Sequence, residues 1–192
     1  MSADVGSVDQ QHNTSLLGSV RLIGGSVYGL IAWAVGFVGV AALFVDRAPD
    51  GALEFPQEDA QFLLDFFAWV FYSAHTVTME VSGGGQSESW PLFEQFLIQD
   101  TLTFNAIPAV LLFVAGYVVA MRVPRTLTAV EGAVAGASVA IGYAVLTFVG
   151  VSYFAQTTAG VTYGPPMVDS MLYMGVGYPV VFGGLGGFLQ GA

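Results

Sequence analysis

A chain of 192 residues that is 55% hydrophobic and only 9% charged is too apolar for an ordinary water-soluble domain and short enough for a single domain. It has no cysteine and no lysine, which excludes disulfides, thiolate metal sites and thiol nucleophiles. The net charge is −10, ten of the fourteen acids lie between Asp46 and Asp100, and the four arginines are too few for a nucleic-acid surface.

Residues 1–19 are polar and read as a flexible cytoplasmic tail, with no signal-peptide pattern. The remainder, 20–192, reads as one membrane domain. Four uncharged runs are long enough to cross a bilayer: Leu22 to Val45, Leu102 to Met121, Gly132 to Ala155 and Ser170 to Ala192. Arg21 precedes the first run, and Arg122 with Arg125 lies in the link between the second and third. An excess of arginine marks cytoplasmic loops, so both termini and this link are expected in the cytoplasm of a multi-pass cell-membrane protein.

Between the first two runs lies an acidic segment, 46–101, expected as an external cap. Pro56, Glu58 and Asp59 suit a helix first turn, and a 3.6-residue period predicts an amphipathic helix over 57–75. Leu63, Phe66, Phe67, Val70, Phe71 and Ala74 share one face; Asp65, Trp69, Tyr72, Ser73 and Thr76 share the other. The uncharged stretch Phe66 to Met79 is too short to cross, so this helix is expected to lie in the interface or dip into the bundle. Thr76, Thr78, Glu80 and Ser82 then alternate with apolar residues up to Gly83-Gly84-Gly85, predicting a short strand or hairpin around 76–90. Trp90 and the LFEQFLIQ run suggest a further interfacial piece.

Asn105 is a candidate cap for the second span, with Pro108 in its first turn; Thr128 and Glu131 form a capping box for the third; Pro165, Pro166 and Asp169 introduce the fourth. Gly36-Phe37-Val38-Gly39-Val40 echoes Thr147-Phe148-Val149-Gly150-Val151, a match short enough to arise by duplication or by chance. The expectation is an all-α membrane protein: a four-helix transmembrane bundle, both ends cytoplasmic, carrying an acidic external cap.

Small residues recur every fourth position at Gly132, Gly136 and Ala140, and at Gly183, Gly187 and Gly191. Such ridges let helices approach closely, either within one bundle or between copies. Tyr178-Pro179, after Gly175, interrupts the fourth span; proline there removes a donor and frees the Gly175 carbonyl, giving a simple kink or a substrate path or hinge. Asp65, Trp69, Tyr72 and His75 are candidate contacts of the cap. His75 lacks partners at metal-ligand spacing, so a hydrogen-bonded histidine is expected, with no metal and no cofactor. The spans hold no charged group in their central turns, which argues against a proton relay. Ser26, Tyr28, Ser138, Tyr143, Thr147, Ser152 and Tyr173 are the polar candidates inside. No nucleophile–base pair is legible, so no enzymatic activity is expected.

The acidic, lysine-free composition suits molar salt, where the Debye length is about 3 Å and repulsion is screened; a cation-attracting vestibule is the other reading. With the stretches WVFYSAH at 69–75, the glycine turn at 83–85 and YPVVFGGLGG at 178–187, the chain resembles a family of small haloarchaeal membrane proteins of unknown function, some labelled transporters. That resemblance implies habitat and membrane topology and supplies no site residues. Two functions follow as expectations: a small transport or channel-like protein acting as a homo-oligomer in the lipid bilayer, or a structural or accessory subunit of a larger membrane complex.

Overall fold

The computed structural model describes residues 6–47, 60–95, 100–124 and 126–192, with the side chains of 6–22 outside that description. Expectations resting on Pro56, Glu58, Asp59, Arg21 and Arg125, and on residues 96–99, lie outside the described parts. Helix α1 runs Gly6–Arg47 and is apolar from Ile23 onwards. Helix α2 is Ala60–Ser73; strands β1, Met79–Gly83, and β2, Gln86–Trp90, follow, then a single turn α3, Leu92–Gln95. Helix α4 is Thr101–Met121. Helices α5, Ala129–Ala137, and α6, Val139–Tyr153, form one long element that changes pitch at Ser138. Strands β3, Gln156–Thr158, and β4, Val161–Gly164, lead to α7, Met167–Asp169. The chain then widens into π-helix over Ser170–Gly177 and Pro179–Gly183 and closes as α8, Gly184–Gly191.

Four elements are long and apolar enough to cross a membrane: Ile23–Arg47, Thr101–Met121, Ala129–Tyr153 and Met167–Gly191. At 1.5 Å per residue each exceeds roughly 30 Å, the thickness of a hydrocarbon core. Large apolar side chains stay exposed along all four, among them Val38, Val110, Val134 and Leu185. In water such a continuous apolar surface would drive association; hydrocarbon tails would cover it.

The four pack in a ring in the order first, second, fourth, third. One half of this ring, nearer Arg122, is closed by backbone contact. A Cβ on Gly136 would strike the Gly183 carbonyl, one on Gly132 the Gly187 carbonyl, and one on Gly116 the Gly183 carbonyl. The first and third long elements meet in the same way, Gly25 against Ser138 and Gly142 against Ser26. Arg122 caps this end by lying 5.1 Å from the centroid of the Tyr28 ring.

The other half is filled by α2. It enters from the end that carries the strands and stops near mid-bundle. Phe44 meets Phe66 at 5.3 Å between centroids, and Trp33 meets Phe71 edge-on at 5.2 Å. Gly36 leaves space for the Phe71 ring. The more polar face of α2 is buried against α6, so the helix dips into the bundle rather than lying in the interface. Asp65, Trp69, Tyr72 and Ser73 are all buried, so α2 is enclosed by protein on both faces.

Thr76 ends this helix. Its φ is +64°, and the bonds Val77 N–H to Tyr72 O and Thr76 N–H to Ser73 O form a Schellman cap around it. Glycine is the usual residue there, because a β-branched side chain at positive φ is strained.

β1 and β2 form the expected hairpin, closed by Gly84 and Gly85 at positive φ. The architecture is mostly helical rather than all-α, because a second hairpin, β3–β4, joins it. The antiparallel sheet runs β2-β1-β4-β3 and ties the chain after α2 to the link between the third and fourth long elements. Two further expectations are corrected. Asp100, not Asn105, caps α4, accepting from the Thr103 N–H and hydroxyl. Pro108 therefore lies inside that helix rather than in its first turn. The Thr128–Glu131 capping box is present, with both reciprocal bonds made.

Candidate functional site at the tip of the half-length helix

The polar stripe of α2 finds hydrogen-bond partners at Asp65, Trp69, Tyr72 and His75, whereas the buried Ser73 hydroxyl has none. Gln61 Nε2 donates to Asp65 Oδ1 at 2.8 Å, and Gln156 Nε2 donates to Asp65 Oδ2. Trp69 Nε1 donates to the Phe154 carbonyl at 2.8 Å, an acceptor left free because the helix ends there. Tyr72 Oη donates to the Thr147 carbonyl at 2.8 Å, which it reaches because Gly150 has no side chain in the way. The stripe ends at His75.

His75 is fully buried. Its Nδ1 lies 2.8 Å from the Phe71 carbonyl and its Nε2 lies 2.7 Å from Tyr143 Oη. A carbonyl can only accept, so Nδ1 carries the hydrogen and donates; Nε2 then accepts from the tyrosine hydroxyl. A neutral imidazole satisfies both bonds. The ring stands edge-on to Phe71 at 4.8 Å and tilts against Tyr178 at 4.9 Å. Tyr143 and Tyr178 lie close to the midpoints of the third and fourth long elements, roughly 15 Å from the helix ends at 1.5 Å per residue.

Two sets of residues singled out separately in the sequence, the α2 stripe and Tyr178-Pro179, thus share one cluster. The fourth element is π-helical here: Tyr178 N–H bonds the Tyr173 carbonyl, five residues back. In that register the carbonyl that Pro179 leaves without a donor is that of Met174, not Gly175. Gly175 is buried, with Ala144 of α6 beside it. A π-stretch widens the helix and recurs at functional sites. Gly132 and Gly136 meet Gly187 and Gly183 inside the same chain; Ala140 is half-buried one turn on.

Sequence reasoning named Tyr143 and Thr147 only as polar candidates and passed over Trp33 and Gln156. Trp33 Nε1 is buried with no acceptor, stacked on Phe37 at 5.7 Å. Nothing local to its sequence marks it. Among the described residues no group of three or more histidine or acidic side chains converges as a metal site. The cluster holds a neutral imidazole between an acceptor and a donor at mid-bundle, beside a widened helix.

A family model described as "Family of unknown function (DUF7978)" matches residues 6–192, and the chain belongs to that family. It matches no curated protein and no solved structure.

Proposed function

We propose that this member of a family of unknown function is a small membrane transport or channel-like protein that acts as an oligomer. The observation that carries this reading is the half-length helix α2, which ends at mid-bundle with His75 against the π-helical stretch around Tyr178 and Pro179. Interrupted helices that stop near the bilayer midplane build substrate and ion sites in many transporters. In this reading the α2 tip is a plug, Tyr178 and Pro179 are the hinge, and the glycine-packed half is the closed side. The termini and the Arg122 link face the cytoplasm, and the sheet faces outside, as arginine placement favours.

Flux of small solutes into proteoliposomes tests it. Pro179→Ala and Tyr178→Phe should alter the rate; unchanged flux in both would remove the hinge assignment. The acidic composition further supports a halophilic, haloarchaeal setting. Circular dichroism and size-exclusion profiles should shift between molar and millimolar salt, and identical profiles would remove that setting.

One observation favours a second reading. Backbones touch across the glycine-packed half, so a path through a single chain has little room there. An accessory subunit of a larger membrane complex needs no such path. Native mass spectrometry from the source membrane separates the two: a homo-oligomer supports transport, and a stoichiometric foreign chain supports the accessory role.

A further inference from the structure

At the strand-bearing end, above Asp65, a cleft of about 580 Å³ opens between α2 and the two hairpins. Its walls include Phe62, Trp69, Trp90 and Tyr163, and Gln61 and Gln156 also line it. Sheet register builds half of it. Met79 pairs with Trp90 and Val81 pairs with Tyr163, so residues two apart on β1 put both rings on one sheet face. Consecutive rings stand nearly at right angles: Phe62 to Trp69 at 86°, Trp69 to Trp90 at 73°, and Trp90 to Tyr163 at 75°, with centroids 5.9 to 6.3 Å apart.

Three observations fix the chemistry such a box would take. Ring faces are negative, so a cavity lined by four aromatic rings favours a positive group. Next to the cleft, Asp65 is fully buried, and its two oxygens accept from the neutral amides of the lining residues Gln61 and Gln156. Among the described residues no basic side chain forms an ion pair with Asp65. A metal ion is a poorer match than an organic cation, because aromatic faces dominate the walls and the oxygen-bearing lining residues, Gln61, Gln156, Thr158 and Tyr163, include no carboxylate.

We propose that this cleft is a binding site for an organic ammonium cation, held by the rings of Trp69, Trp90, Phe62 and Tyr163 and by the charge of Asp65. The amide groups of Gln61 and Gln156 remain on Asp65, so the carboxylate attracts the ligand through space and does not chelate it. Binding here does not depend on transport and is measurable in detergent without any flux.

The test is a tryptophan-fluorescence titration of the purified full chain at constant ionic strength. The probes are choline and its uncharged isostere 3,3-dimethylbutan-1-ol. Choline should saturate the signal, and the isostere should bind about tenfold weaker or less, as a desolvated cation–π contact implies. Trp90→Leu and Tyr163→Leu should each weaken choline at least severalfold, because both are wall residues at the sheet. Asp65→Asn should weaken choline toward the isostere while leaving the isostere unchanged. No saturable choline signal, equal affinity for both probes, or full choline affinity in both wall variants would overturn the proposal. Should Asp65→Asn fail to fold, the isostere comparison in the unaltered chain and the wall variants decide.

Discussion

Replacing His75 by phenylalanine removes both ring nitrogens and keeps the ring volume close to that of the site. Two groups are then stranded in a fully buried position: the Tyr143 hydroxyl and the Phe71 carbonyl. A buried polar group without a partner costs about 1–3 kcal/mol, so the two give roughly 2–6 kcal/mol as an upper range. Side-chain hydrogen bonds inside membrane bundles are measured lower, averaging about 0.6 and reaching about 1.7 kcal/mol. We expect His75→Phe to cost about 2 kcal/mol. Tyr143→Phe alone strands Nε2 and should cost about 1 kcal/mol. The double variant should cost less than the sum, by a coupling of about 0.6–1.7 kcal/mol, because neither member is left without the other. Reversible unfolding in mixed micelles, followed by circular dichroism across all four proteins, measures the cycle. Additivity within about 0.3 kcal/mol would refute the reasoning, since directly bonded partners must couple.

Thr76→Gly should raise stability by about 1 kcal/mol, the relief of left-handed strain less the entropy of a new glycine; a fall in melting temperature would show that the Thr76 hydroxyl bond to the His75 carbonyl outweighs the strain. Gly136→Leu should abolish the monodisperse folded species, because its side chain would occupy the Gly183 and Gly187 backbones, whereas Gly24→Ala meets nothing within 4 Å and should be silent; size-exclusion profiles of the two decide. The Asp100 carboxyl is held below its ordinary range, first by the Thr103 hydroxyl, and Thr103 N–H and Arg47 act in the same sense. A depressed acid stabilises the fold above its unfolded value, and that contribution fades as pH falls through the folded one. Asp100→Asn should therefore flatten the acid side of the pH–stability curve, and an unaltered curve would show that this cap contributes nothing.

The four long elements were legible because about 20 uncharged residues in a row permit little else. Their ends shifted by a few residues where capping decides, as Asp100 does for α4. The first hairpin was legible from alternation and three glycines. The second was not: β3 and β4 hold three and four residues, and their turn puts Ala159, a residue that rarely adopts it, at φ +52° beside Gly160. The wheel of α2 separated its two faces correctly but could not say what met them. From the sequence, Asp65, Trp69, Tyr72 and His75 are candidate contacts without named partners, and in the structure those partners are Gln156, Phe154, Thr147 and Tyr143. Nothing in a local window carries that information, since the partners lie between 68 and 91 residues away.

Those separations also set an order of assembly. When a ribosome has released α2, β1 and β2, the local partners Gln61 and Phe71 are in place, but β4 and the distant partners Gln156, Phe154, Thr147 and Tyr143 have not yet been made. The half-helix carries a carboxyl and an imidazole that hydrocarbon would reject, so it must wait at the aqueous boundary until the third long element is inserted. Only when β4 emerges can β1 gain its second neighbour and draw the segment inward. Biogenesis is therefore expected to include a late docking step that closes the bundle from one side. Chains stopped before residue 161 should persist as open three-helix species, visible to membrane proteases.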